Sequence, residues 1–166
     1  MTIPLARGAA FDPDLDLLFE RVIDIAPHRV WDAWTRPEQV VRWFTPAPWT
    51  TAECTIELHP GGAFRTLMRS PEGQEVTNTG CYLELVPGER LVWTTALGPG
   101  FRPVAVPAPG FVVTATIALA AEAGGTRYTA TVRHADAASR QRHEAMGFQD
   151  GWGKALDQLV AMAKSL

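Results

Sequence analysis

The side chains best suited to proton transfer lie late in the chain, at His134, Asp136 and Glu144. His134 has the same alternation parity as Tyr128, Ala130 and Val132, so in a strand over 126–134 its imidazole turns toward the face those apolar residues bury. An imidazole changes charge near neutral pH and serves as a general base when a carboxylate orients it. Asp136 and Glu144 are the carboxylates within reach in sequence. A strand-end histidine held by backbone hydrogen bonds is the competing reading, and both remain open on sequence grounds.

Other chemistries find less. His143 and Glu144 together with His134 fall short of a metal ligand set, so no metal is expected. No Ser, Cys or Lys occupies a nucleophile motif, and no glycine run follows a strand and opens a helix as a phosphate cradle does; no cofactor is expected. Cys54 and Cys81 are the only cysteines, too few and too far apart for a disulfide framework, and are expected as reduced thiols. These absences favour a binder over a catalyst.

The aromatic and Met residues offer a different kind of site. Trp43, Phe44 and Trp49 sit at or beside the Thr45-Pro46-Ala47-Pro48 corner, a stiff irregular segment. Together with Met68, Trp93, Phe101 and Met146 they are the candidate lining of an apolar ligand pocket. Trp31, Trp34 and Trp152 are spaced to share helix faces and are expected in the core.

The elements that must position these groups follow from periodicity. A long amphipathic helix is predicted from Gly147 to Leu166, with Phe148, Trp152, Ala155, Leu156, Leu159, Val160, Met162, Ala163 and Leu166 on one arc and Asp150, Lys154, Asp157, Gln158 and Lys164 opposite. Gly147 breaks it from a shorter helix over Ala137–Met146. At the other end, Asp16–Ile25 alternates as a strand, and Pro27 opens a short helix bearing Val30, Trp31 and Trp34. Pro37 ends it, and the Thr35–Glu38 spacing predicts a capping box for a second short helix with Val40, Val41, Trp43 and Phe44.

Strands are then predicted over Thr51–Leu58, Phe64–Arg69, Val76–Val86, Arg90–Leu97, Phe111–Ala120 and Thr126–His134, joined by Gly- and Pro-containing turns. Strand following strand by hairpins gives an antiparallel sheet. Residues 98–110, rich in Pro and Gly, read as a lid or binding segment or as a disordered loop. The fold class is α+β: a curved antiparallel sheet of about six to seven strands wrapped on the long helix, with room for a cavity between. Residues 1–15 form an N-terminal arm, and 16–166 a single domain.

Composition excludes several functions. The net charge of −3 over 166 residues gives no electrostatic footprint for nucleic acid or an anionic membrane. No stretch reaches the length of apolar sequence a membrane-spanning helix needs, and the start lacks a secretory pattern. A cytoplasmic location is expected.

Several short motifs, in order, carry a resemblance: Val30-Trp31-Asp32-Ala33-Trp34-Thr35-Arg36-Pro37-Glu38, Arg42-Trp43-Phe44, Gly61-Gly62-Ala63-Phe64-Arg65, Gly125-Thr126-Arg127-Tyr128, Gly147-Phe148, Gly151-Trp152 and Leu156-Asp157-Gln158-Leu159. From about Asp16 to Leu166 the chain resembles bacterial proteins similar to the C-terminal domain of the activator of the ninety-kilodalton heat-shock chaperone ATPase. That group belongs to the START and birch-pollen-allergen-like (SRPBCC) superfamily. The resemblance implies a helix-grip fold. It leaves function open, because the superfamily includes carriers, cyclases, oxygenase subunits and chaperone regulators.

Three functions are therefore carried forward. The first is binding of a small hydrophobic or amphipathic molecule between sheet and C-terminal helix. The second is a cyclase- or hydrolase-like activity using His134 with Asp136 or Glu144. The third is a chaperone-regulating or other protein-interaction module, with a homodimer or a chaperone as partner.

Overall fold

A computed structural model describes residues 10–166. Most of the arm expected over 1–15 lies outside the described residues; its end is a turn in which the backbone N–H groups of Leu15 and Asp16 donate to the Asp12 carbonyl at 3.0 and 2.7 Å. The chain then runs β1 (Asp16–Ile23), α1 (Pro27–Thr35), α2 (Pro37–Trp43), β2 (Thr50–Ile56), β3 (Ala63–Arg69), β4 (Glu75–Val86) and β5 (Arg90–Thr94). It continues through a two-residue ribbon, β6 (Leu97–Gly98) with β7 (Arg102–Pro103), to β8 (Val113–Glu122), β9 (Gly125–His134), α3 (Ala137–Ala145) and α4 (Phe148–Lys164).

Seven strands form one antiparallel sheet in the order β1-β9-β8-β5-β4-β3-β2. The first strand pairs with the last, Leu17 opposite Val132 and Phe19 opposite Ala130, so one non-local pairing places the N-terminal strand beside the segment leading into α3. Register shifts at Thr51/Glu53 and Tyr82/Glu84 are the bulges that bend a sheet. This is the expected curved antiparallel α+β helix-grip arrangement.

Alternation decides which face is buried. In β9, Thr126, Tyr128, Ala130, Val132 and His134 are buried while the residues between them are partly exposed. Leu17, Phe19 and Ile23 of β1 and Ala115, Ile117 and Leu119 of β8 join them in one core with Leu156, Leu159, Met162 and Ala163 of α4. The opposite face carries ion pairs such as Arg127 with Glu20 at 2.6 Å; being exposed, these add little stability. Gly125 permits the start of β9 to pass close to the end of β1: a Cβ there would lie 2.0 Å from the Ile23 carbonyl oxygen.

Three local expectations are revised. Thr35 does not cap α2: its hydroxyl donates to the Trp31 carbonyl at 2.8 Å inside α1, and Arg36 precedes Pro37 without a side-chain cap. The start of the 98–110 segment is ordered, not a disordered loop, since β6 and β7 pair and the Gly100 N–H donates to the Gly61 carbonyl at 2.7 Å. Leu166 lies beyond the end of α4 and is 65% exposed. Gly147 does separate the two C-terminal helices, with a φ of 91° that favours glycine.

Candidate functional site

The buried face of the sheet is not filled completely. Between it, α2 and the first turns of α4 lies a cavity of about 370 Å³, lined by Trp34, Trp43, Phe44, Pro46, Met68, Tyr128, His143, Met146, Gly147, Phe148, Gly151, Trp152, Ala155 and Leu156. No lining side chain is a carboxylate, lysine or arginine. Each lining group on α4 follows from helical spacing: Gly147, Gly151 and Ala155 form one row four residues apart, and Phe148, Trp152 and Leu156 form the next. The first row is nearly bare backbone. A Cβ on Gly151 would meet nothing within 4 Å.

An aromatic cluster forms the floor. Trp34 on α1 is 2% exposed, and its ring lies 4.9 Å from Trp43, 5.8 Å from Phe44 and 6.4 Å from Trp152, centroid to centroid. Trp43 is oriented by its indole N–H, which donates to the Ala33 carbonyl at 2.9 Å. The Trp34 N–H finds no hydrogen-bond partner. It is near enough to the Tyr128 hydroxyl to favour the ionised phenol slightly, but burial dominates and pushes the Tyr128 hydroxyl well above the ordinary range. Tyr128 is therefore a neutral O–H at the cavity wall.

The proline corner is fastened by Gln158 of α4. Its Nε2 donates to the Trp43 and Thr45 carbonyls at 2.8 and 2.9 Å, and its Oε1 accepts from the Ala47 N–H at 2.9 Å. Both amide donor hydrogens and the oxygen are thereby engaged.

At the other end of the cavity two histidines meet. His134, 7% exposed, places Nδ1 2.8 Å from the Leu15 carbonyl and Nε2 2.8 Å from Nδ1 of His143. His143 lies between rings, its centroid 5.1 Å from Phe111 and 5.3 Å from Phe148. Burial, and then the neighbouring His134, push its pKa down to about 4, so it is neutral at physiological pH.

The candidate residues are thus distributed unevenly. Trp43, Phe44, Met68 and Met146 meet at the cavity. Trp93 is buried behind it, 5.1 Å from the Trp34 ring and 5.4 Å from Phe64. Phe101 is half exposed and covers Gly61, and Trp49 lies partly exposed in the segment before β2, neither of them among the lining residues. Among the proton-transfer candidates, His134 stands behind His143, and its hydrogen bonds go to Leu15 and His143. Asp136 caps α3, its Oδ1 accepting from the Ser139 N–H at 2.7 Å, which lowers its pKa. Glu144 pairs with Arg140. Among the described residues no group of His, Cys, Asp and Glu is arranged to hold a metal ion.

A family model for activator of Hsp90 ATPase homolog 1-like proteins matches residues 24–164. The chain belongs to this family. A structure from Nitrosomonas europaea superposes with a TM-score of 0.88 at 42% identity, covering 93% of this chain and 97% of that one. Another, from Rhodobacter sphaeroides, gives 0.81 at 25% identity, covering 95% and 97%. An AHSA1-like protein from Aeromonas hydrophila gives 0.68 at 20% identity over 91% and 93% of the two chains, which speaks to the fold alone. Among curated proteins none matches. Membership and fold are those of a ligand-binding or regulatory module, and no helix among the described residues is long and apolar enough to cross a membrane.

For this family member, spacing alone did not single out the lining by Trp34, Tyr128, His143, Phe148, Gly151 and Trp152. The i, i+4 rows on α4 were the available signal for half of them. The His134–His143 contact spans a strand end, a turn and two turns of helix, and no periodicity reports it.

Proposed function

We propose that the chain binds a small hydrophobic or amphipathic molecule in the cavity between the sheet and α4. The observation that carries this reading is the cavity itself: about 370 Å³ within the size range of small-molecule sites, walled by aromatic and aliphatic groups with a few polar atoms at its edge. Filling it removes apolar surface from water on both partners, at roughly 25 cal/mol per Å² buried. Three of the six tryptophans line it, so occupancy reports itself in intrinsic fluorescence. A panel of medium-chain fatty acids, terpenoids and polycyclic aromatics, titrated while fluorescence and thermal unfolding are followed, should yield at least one saturable ligand that raises the melting temperature. A panel without a single saturable binder would remove the reading.

The cyclase- or hydrolase-like alternative gains little from the geometry, because both carboxylates are engaged elsewhere and His134 is shielded from the cavity by His143. A protein-interaction role is favoured by one observation, the exposed apolar run Phe101, Val104 and Val106. Retention of a purified chaperone by the wild-type chain, lost in a Phe101→Ser, Val104→Ser variant, is its test.

A further inference from the structure

One backbone carbonyl organises the polar end of the cavity. The Leu15 oxygen accepts from the His134 backbone N–H at 3.1 Å and lies 2.8 Å from His134 Nδ1. A carbonyl oxygen only accepts, so Nδ1 carries a proton; in the neutral ring Nε2 is then a bare acceptor. That acceptor is 2.8 Å from His143 Nδ1, which must supply the hydrogen. His143 is left with one nitrogen, Nε2, and in its neutral ring this atom holds a lone pair. Since His143 lines the cavity with Nδ1 already taken, Nε2 is the nitrogen available to an occupant.

The surroundings decide what that lone pair selects. An anion would enter a cavity whose lining carries no charged side chain, and an unpaired buried carboxylate is costly. The nearby cations are engaged elsewhere: Arg140 with Glu144 and the Asp16 carbonyl, Arg142 with the Ser139 hydroxyl and over the Phe111 ring. A pKa of about 4 makes His143 a poor proton acceptor at neutral pH but leaves it a competent hydrogen-bond acceptor. Phe111 and Phe148 hold the ring in place.

We propose that the molecule bound here is a neutral, largely apolar alcohol or phenol whose O–H donates to Nε2 of His143, with the tautomer of His143 set through His134 by the Leu15 carbonyl. His134 is on this account a positioning residue. The proposal rests on the cavity being a ligand site and adds the polarity of its occupant: a donor is accepted and a carboxylate is refused.

The test compares 2-naphthol, naphthalene and 2-naphthoate with the full chain at pH 7.5, read by tryptophan fluorescence, alongside long-range proton–nitrogen NMR of the histidine rings. The expected result is 2-naphthol binding about five-fold more tightly than naphthalene, the size of one ordinary neutral hydrogen bond, with 2-naphthoate weakest. In His143→Phe, which keeps a ring between Phe111 and Phe148, 2-naphthol and naphthalene should bind alike. Equal binding of these two to the wild type, or tightest binding of 2-naphthoate, overturns the proposal and leaves the ligand site standing. Absence of binding by all three while another member of the panel binds overturns this proposal alone; absence of binding across the whole panel sinks both. Should His143→Phe fail to fold, the wild-type spectrum decides: the proton on His143 is expected at Nδ1, and a proton at Nε2 would refute the arrangement.

Discussion

Gly151 offers a way to separate the stability of α4 from the openness of the cavity. It lies in the first turns of the helix with its N–H donating to the Gly147 carbonyl at 2.8 Å, so a glycine there carries the usual helix-interior penalty of about 1 kcal/mol relative to alanine. A Cβ at this position meets nothing within 4 Å, so no steric cost offsets the gain. Gly151→Ala should therefore stabilise the protein by about 0.5–1 kcal/mol, seen as a rise in melting temperature of about 1–4 °C for a chain of this size. Gly151→Phe extends the same side chain into the roughly 370 Å³ space. It should leave the far-UV circular dichroism of the wild type intact while abolishing ligand-dependent fluorescence change and ligand-dependent thermal stabilisation. Differential scanning fluorimetry with and without a saturating ligand measures both effects on the same samples. A destabilised Gly151→Ala would show that the wall is not open where the geometry puts it; a Gly151→Phe variant that still binds as the wild type does would show that the ligand sits elsewhere.

Gly125→Ala should be among the most damaging small substitutions in the sheet, since its Cβ would sit 2.0 Å from the Ile23 carbonyl oxygen; a loss of about 3 kcal/mol in urea unfolding is expected, and a loss below 1 kcal/mol would contradict the close approach. Acid should destabilise the fold through His143. Its folded pKa of about 4 lies below the ordinary histidine value of 6.5, so the unfolded chain binds more protons in that window, and stability present above pH 6.5 is lost as pH falls toward 4. Because water reaches part of this ring, the loss is set at about 1–2 kcal/mol, and His143→Phe should flatten the stability profile between those pH values. Burial pushes the Cys54 thiol up to about 11, so labelling by Ellman's reagent at pH 8 should run roughly tenfold to a hundredfold slower than for an unperturbed thiol; labelling at the free-thiol rate would contradict it.

The sheet and α4 were legible because burial imposes strict periods on them. Leu17, Phe19 and Ile23, and Tyr128, Ala130 and Val132, alternate as their positions in β1 and β9 require, and the arc from Phe148 to Ala163 repeats at helical spacing. Two-residue strands such as Leu97–Gly98 have no room for a period, so Leu97 reads as the end of the Arg90–Leu97 strand, which in fact stops at Thr94, and the rest of the β6–β7 ribbon reads as a loop. Thr35 and Glu38 have capping-box spacing, but the threonine hydroxyl is satisfied inside α1, a competition that sequence does not resolve. The site was legible in part for a deeper reason. Spacing tells which face of a helix is apolar, not whether that face meets other atoms or a void, so Trp34 and Trp152 were placed in the core when they also bound the cavity. Trp93 and Phe101, apolar and at suitable positions along the chain, went instead to the core behind the cavity and to the cover over Gly61.

Gln158 has a consequence for how a molecule would reach the interior. Three hydrogen bonds from Gln158 fasten Trp43, Thr45 and Ala47, and with them the Phe44–Pro46 shoulder, to α4. Met146, 75% exposed and beside the left-handed Gly147, also lines the cavity and carries only a flexible thioether chain. On the proposed ligand-binding reading, passage in and out would use the Met146 side: a one-sided doorway, with the threshold at the α3–α4 bend and the jamb at the proline corner.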